Sequence, residues 1–193
     1  FLIIGTIIIT RQMDYLKNKQ LGYHQEQTVI VPIDNNDIYN NRNLFKTSLQ
    51  QEKNIESVSL MSGEPGGFFD MHMFDVEGHS EKWQSRTEFA DFEYVKTLGL
   101  KIIAGRDFSP QYPTDTANAV LINRTAAGRL GWTPGQAIGK WIQNTVRDDA
   151  KRRIIGVVED FNFLSLKENM DALVIAPNED RRVALVKLKP GSL

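Results

Sequence analysis

The sequence predicts an α+β fold in which a β-α-β unit, drawn from both ends of the chain, carries a β-rich insertion and is preceded by a helix. Three observations predict it. A strand-like run, an amphipathic helical run and a second strand-like run follow one another between Glu26 and Ser62. The middle of the chain is then dominated by short segments rich in β-branched and aromatic residues, with only brief helical pieces. A further strand-like run returns near the end, "RRVALVKLKPG".

The first element is the opening "FLIIGTIIITRQMDYLKNKQ", apolar from Phe1 to Ile9 apart from Gly5 and Thr6 and polar from Arg11 onward. Periodicity alone leaves three readings open: a buried strand, a signal peptide, or the stub of a membrane helix. The β-branched run Thr6 to Thr10 favours a strand in water. A helix is the one single segment that satisfies its own backbone in lipid. About ten apolar residues fall short of the roughly 20 that a spanning helix needs. The chain begins with Phe rather than Met and has no basic stretch ahead of the apolar run, which makes it read as a fragment. Nothing breaks a helix between Arg11 and Leu21, and Gly22 supplies a stop, so a helix running from the apolar run into water is expected over residues 1–22.

The elements that follow are read in order. "EQTVIVPID" is a strand ended by Pro32, "NRNLFKTSLQQEKN" a helix presenting Leu44, Phe45, Ser48 and Leu49 on one face, and "IESVSLMS" a second strand. A strand-helix-strand crossover of this kind predicts a small sheet of paired parallel strands with the helix on one side. "GEPGGFF" is a turn-rich link. After it, "MHMFDVEG", "QSRTEFAD", "KIIAGRDFS", "AVLINRT" and "RRIIGVVEDFNF" read as strands, and "FEYVKTLG" and "RTAAGRLG" as short helices. The implied division places the β-α-β part at residues 23–65 and 168–193 and the β-rich insertion at 66–167.

Composition removes several function classes. Lys and Arg number 23 against 24 Asp and Glu, so no global field draws the chain to nucleic acid or to an anionic surface. A hydrophobic share of 41% with 24% charged residues is that of a folded domain. The absence of cysteine removes disulfides, thiolate nucleophiles and cysteine-type zinc sites together. No glycine-rich phosphate loop follows the first strand and no "GxxxxGKS" occurs, so nucleotide binding and ATP hydrolysis are not expected.

Candidate ligands are densest in "DMHMFDVEGH", which holds Asp70, His72, Asp75, Glu77 and His79. Strand alternation sends Asp70 and His72 to one face and Asp75, Glu77 and His79 to the other, whereas a metal needs three or four ligands converging. Met71 and Met73 beside His72 read as packing before they read as soft-metal ligands. No serine lies in a "GxSxG" elbow. "GRDFS" reads as a turn held by an Arg and an Asp, and "GWTPGQAIGK" as loop geometry. No catalytic, cofactor-binding or metal-binding residue is assigned.

The order of motifs "RQMDYLKNKQLGY", "TLGLKIIAGRDFS", "AVLINRTAAGRLGW", "AIGKWI" and "RRIIGVVEDFNFLSLKENM" closely resembles the extracytoplasmic core domain of MacB-like and FtsX-like ABC transporter permeases, especially the Bacteroidetes-type versions. The resemblance runs over most of the chain. It implies a periplasmic domain between the first two transmembrane helices of an inner-membrane protein, with Phe1 to Thr10 as the outer end of the first helix and Arg11 to Gln20 as a stalk. It also implies a porter-like β-α-β subdomain and a β-rich, sabre-like insertion, with the porter part truncated here because the family's continues through another helix and strand. The implied role is non-catalytic: coupling of cytoplasmic ATP hydrolysis to export, lipoprotein extraction or cell-wall regulation. The implied partners are a cytoplasmic ATP-binding subunit or domain, a second permease copy, and a periplasmic adaptor or lipoprotein, with no cofactor and no nucleic acid. The alternatives are a periplasmic solute- or peptide-binding module and a metal-dependent hydrolase using the His72 region.

Overall fold

Among the described residues ten strands hydrogen-bond into one sheet, and six of them close on themselves. The computed structural model describes residues 5–6, 10–11, 21–24, 26–67, 69–147, 150–178 and 180–192. In chain order the elements are β1 (Thr28–Pro32), α1 (Asn36–Asn40), α2 (Arg42–Gln50), β2 (Ile55–Met61), β3 (Met71–Val76), β4 (Trp83–Ala90), α3 (Tyr94–Leu98) and β5 (Ile102–Gly105). They continue as α4 (Asp115–Asn118), β6 (Ala119–Asn123), α5 (Arg124–Arg129), α6 (Pro134–Ala137), β7 (Trp141–Asn144), β8 (Lys151–Val158), β9 (Leu173–Pro177) and β10 (Val183–Leu188).

The open limb of the sheet is β1-β10-β2. Both outer strands run antiparallel to β10, Ile30 opposite Leu185 and Leu60 opposite Ala184. The strand-helix-strand unit therefore exists, but β1 and β2 do not pair with each other as the crossover rule led us to expect. They point the same way with β10 slotted between them, because a strand contributed from the far end of the chain fills the gap a split β-α-β unit leaves. Helix α2 covers one face of the limb with Phe45, which packs with Tyr39 of α1 on Ile33, Leu60 and Ala184. Its inner stripe differs from the expected one, since Leu44 is 68% exposed while Phe45 and Leu49 turn inward.

From β2 the sheet passes to β4 through the single pair Met61 and Ala90. Strands β4, β3, β7, β8, β6 and β9 then follow in hydrogen-bonded order, and β9 returns to β4 in a parallel ladder from Arg86–Leu173 to Ala90–Pro177. This is a closed six-stranded barrel. Strands β7 and β9 were not among the expected strands, and β9, within 168–193, completes the barrel rather than lying beside β10. Alternation fills the interior with Phe74, Phe89, Val120, Ile122, Ile142, Ile154 and Val174, and α5 and α6 close it with Ala126, Ala127 and Ala137. The opposite faces of β6 and β9, Leu121, Leu173 and Ile175, meet Met61, Tyr94, Leu98, Phe161 and Leu185 in a second core between barrel and limb. Strand β5 crosses the end of β8 closely: a side chain at Gly105 (φ 70°) would stand 2.2 Å from the Ile155 carbonyl oxygen.

The expected leading helix and stalk lie almost entirely outside the described residues. Gly5, Thr6, Thr10 and Arg11 are helical, and Thr10 Oγ1 donates to the Thr6 carbonyl at 2.9 Å. Among the described residues no helix is long and apolar enough to cross a membrane.

At the seam between limb and barrel, Glu88 is fully buried. Its Oε1 accepts from Ser62 N (2.8 Å), Ser62 Oγ (2.9 Å) and Gly63 N (3.2 Å), which ties the link leaving β2 to β4. Burial pushes its carboxyl up to about 8, against the pull of those donors, so the group is protonated at neutral pH. The folded state then holds a proton that the unfolded chain releases near its ordinary value of 4.5. Stability contributed at Glu88 is full below about 4.5 and declines as pH rises toward 8, by on the order of 3–5 kcal/mol. Glu88→Gln keeps the Oε1 acceptor and removes the titration. Thermal unfolding of both proteins from pH 5 to 8 should show the wild-type midpoint falling relative to the variant; parallel curves would remove Glu88 as the cause.

Candidate binding cleft

The residues first considered for chemistry do not converge. Strand β3 sends His72, Phe74 and Val76 inward and Met71, Met73 and Asp75 outward, so His72 and the two flanking methionines lie on opposite faces. His72 is buried in the barrel, its Nδ1 2.6 Å from Asn144 Nδ2 and its ring 5.6 Å from that of Phe89. Asp70 is exposed just before the strand, and Asp75 faces Lys82 at 3.9 Å. Glu77 accepts from Lys140 Nζ at 2.8 Å and from Trp141 N at 3.2 Å, which holds its carboxyl below the usual range. His79 rests edge-on against Trp132 at 5.6 Å. Among the described residues no three His, Asp or Glu side chains are placed to share a metal ion. The hollow inside the barrel, lined by Thr87, Phe89, Asn144 and Arg152, is about 10 Å³, room for one water and no ligand.

The "GWTPGQAIGK" stretch, expected to be loop geometry, instead holds the short helix α6 between two turns. Thr133 and Gln136 form a reciprocal capping box at the start of α6, with Pro134 in the first turn. "GRDFS" does hold a turn, but the carboxylate that Arg106 grips is not the adjacent Asp107. Its Nη1 and Nη2 donate to Asp115 Oδ2 (2.6 Å) and Oδ1 (2.9 Å), nine residues on, and Tyr112 lies under the guanidinium at 4.0 Å. Asp115 also accepts from Ser109 N at 3.2 Å. Asp107 caps Phe108 N at 2.7 Å, and burial raises its carboxyl to about 6.

This staple forms one wall of an open cleft of about 420 Å³ on the outer face of the barrel. Its floor is β8, whose outward residues Lys151, Arg153 and Ile155 follow the strand period. Arg153 is in register with Ala119 of β6 on one side and Trp141 of β7 on the other, and its Nη1 donates to the Gly139 carbonyl at 2.7 Å. Lys151 Nζ stands over the Trp141 ring at 4.4 Å. The far wall is Arg106 with Thr114, Asp115 and Asn118. The cleft thus combines three cations, one already paired, with an aromatic wall, and it holds no base and nucleophile in contact. Sequence reading missed Lys151, Arg153 and Trp141. The signal was present in "KRR": on a strand its first and third residues share a face.

The sequence matches the family model of the MacB-like periplasmic core domain over residues 1–193. No curated protein matches it. Among solved structures, the periplasmic region of MacB from Actinobacillus actinomycetemcomitans superposes with a TM-score of 0.62 at 15% identity, covering 89% of this chain and 78% of that one. The extracellular domain of the ABC-type transporter YknZ from Gram-positive bacteria gives 0.59 at 14% identity, covering 85% and 84%. A domain of a putative permease protein from Porphyromonas gingivalis gives 0.53 at 21% identity, covering 76% and 68%. At these identities the likeness is one of fold.

Asp115 is 4% exposed in its side chain and its charge is held by Arg106, which lowers its pKa. Asp115→Asn leaves the guanidinium facing a neutral amide. It should cost about 1–3 kcal/mol in unfolding free energy at pH 7, and the Ser109 amide should lose protection in hydrogen exchange. As pH falls through the carboxyl's lowered value the wild type loses this advantage, so the two proteins should converge in acid. An unchanged midpoint at pH 7 would mean that the staple does not hold the wall.

Proposed function

The chain belongs to the family of MacB-like periplasmic core domains, and from that membership we propose that it is the non-catalytic domain of an ABC transporter permease that couples cytoplasmic ATP hydrolysis to conformational change outside the inner membrane. In this reading a cytoplasmic ATP-binding subunit or domain hydrolyses the nucleotide. Residues 1–22 connect the membrane to the domain as the end of a transmembrane helix and a stalk. A second permease copy completes the assembly, and a periplasmic adaptor or lipoprotein receives the motion. Residues 23–65 and 168–193 make the porter-like part and residues 66–167 the β-rich, sabre-like insertion, with β9 shared at their seam.

The observation that carries the reading is the joint at residues 21–24, where the leading segment enters the fold. The Leu21 carbonyl accepts from Asn162 N at 2.7 Å and from Asn162 Nδ2 at 3.2 Å. Tyr23 sets its ring edge-on to Phe161 at 6.3 Å and packs on the core between limb and barrel. His24 N donates to the Leu98 carbonyl at 2.8 Å. Gly22 has φ 80°, and a Cβ there would lie 2.9 Å from the Asp160 carbonyl oxygen and the Phe161 Cα. A displacement delivered to this joint passes to α3 and to the segment after β8, since coupling is carried by packed, hydrogen-bonded elements that move as units.

A second reading, a solute- or peptide-binding module, is favoured by the cleft beside β8. Loss of transport in the joint variant below speaks for coupling, and retained transport in that variant together with ligand binding speaks for the binding module.

Gly22→Val in the full-length permease places a β-branched side chain at positive φ against the Asp160 carbonyl and Phe161, and should loosen the joint where it meets the shared core. Gly78→Ala is the control, with φ 82° and open space around it. Both variants should keep near-UV circular dichroism and ATPase activity. Gly22→Val should lose the transport-dependent phenotype and Gly78→Ala should retain it. Full export by Gly22→Val would remove the joint from the mechanism.

A further inference from the structure

The cleft beside β8 sets two like charges side by side on one strand. Lys151 and Arg153 are both exposed on the outer face of one strand, about 7 Å apart by strand geometry. Strand β8 is already fixed by its ladders to β6, β7 and β5 and by Ile154 and Val157 in the barrel core. Two neighbouring cations therefore add mutual repulsion, even though the charge of Arg153 also reaches Glu77 behind Trp141. Each is nevertheless held in place, Arg153 by the Gly139 carbonyl and Lys151 by the Trp141 ring. The carboxylate in the lining, Asp115, is engaged by Arg106. Among the described residues no carboxylate forms an ion pair with Lys151 or Arg153. Positive charge set in a concave site focuses its field and concentrates anions there.

The geometry points to an acidic peptide segment, carried by a partner protein in extended conformation, as the occupant of this cleft. An extended chain presents the same face every second residue, a repeat of about 7 Å that matches the spacing of the two β8 cations. Carboxylates at alternate positions then meet Lys151 and the fork of Arg153, while Trp141 offers an apolar wall to the intervening atoms. A lone phosphate does not use that repeat. The volume of about 420 Å³ lies within the range of ligand sites and the cleft is open to solvent, as a passing chain requires.

This assignment does not depend on the coupling role, and the 193-residue chain by itself tests it. Calorimetric titration with a capped Glu-Ala-Glu-Ala-Glu peptide at low ionic strength should give saturable binding that weakens steeply with salt. Lys151→Gln with Arg153→Gln should weaken it by about tenfold. Lys96→Gln with Lys167→Gln removes two exposed charges outside the cleft and should leave the affinity within about twofold. All four side chains are exposed, so matched unfolding midpoints are expected and serve as the folding check. Pyrophosphate is the competing probe and should bind more weakly than the peptide. Pyrophosphate binding as tightly as the peptide would overturn the peptide assignment in favour of a small-anion site. Absence of saturable peptide binding, or equal loss in both double variants, would overturn the site itself.

Discussion

Strand β9 has to satisfy two neighbours and two cores at once, and the rest of the architecture follows from that. Its backbone bonds β4 in a parallel ladder and β6 in an antiparallel one, which closes the barrel. Its side chains alternate between the barrel interior, Val174 and Ala176, and the core shared with the limb, Leu173 and Ile175. A strand with no free edge and no free face can be neither shifted nor tilted without opening one core. The barrel and the limb are thereby made to share a wall, and the buried Glu88 sits on the neighbouring strand at that wall.

The same constraint gives the joint its stiffness. Phe161 and Phe163 pack on one another at 5.5 Å within the shared core, and Asn162 between them grips Leu21. Tyr23 and His24 tie the same entry point to Phe161 and to the end of α3. Motion applied at residue 21 thus meets the buried core shared by limb and barrel. The cleft lies elsewhere, on the outer face of β8, where Arg106 and Asp115 shape a wall without contributing to either core. The buried entry point and the exposed charged surface thus lie on different parts of the molecule.

Much of this was legible in the residues. Strands β2, β3 and β10 announce themselves by β-branched or alternating patterns between turn signals, and α5 by the helix-forming "RTAAGR" after Asn123, whose side chain caps it. Strand β9 was not legible, because "LVIAP" is apolar throughout: burial on both faces erases the period of two. Strand β7 has four residues and follows a loop rich in glycine, too short for a pattern. The placement of β10 between β1 and β2 depends on pairing across more than 100 residues, which local pattern does not encode. Nothing in "RTEFAD" marks Glu88 as buried; the cover supplied by the shared core makes it so. The cleft was half legible: alternation in "KRR" places Lys151 and Arg153 together, but the wall opposite depends on Arg106 reaching past Asp107 to Asp115.

The central claim is that the joint at residues 21–24 and the barrel move as one body when the transporter turns over. The domain contains no cysteine, so two introduced cysteines can be spin-labelled selectively within it. Glu26→Cys beside the joint and Gln84→Cys on the outside of β4 are both at exposed positions. Pulsed electron resonance on the full-length permease in membranes should give one narrow distance distribution between these labels, the same without nucleotide and with ATP bound. A distribution that shifts or broadens on ATP binding would show that the joint yields, and would contradict rigid coupling through this domain.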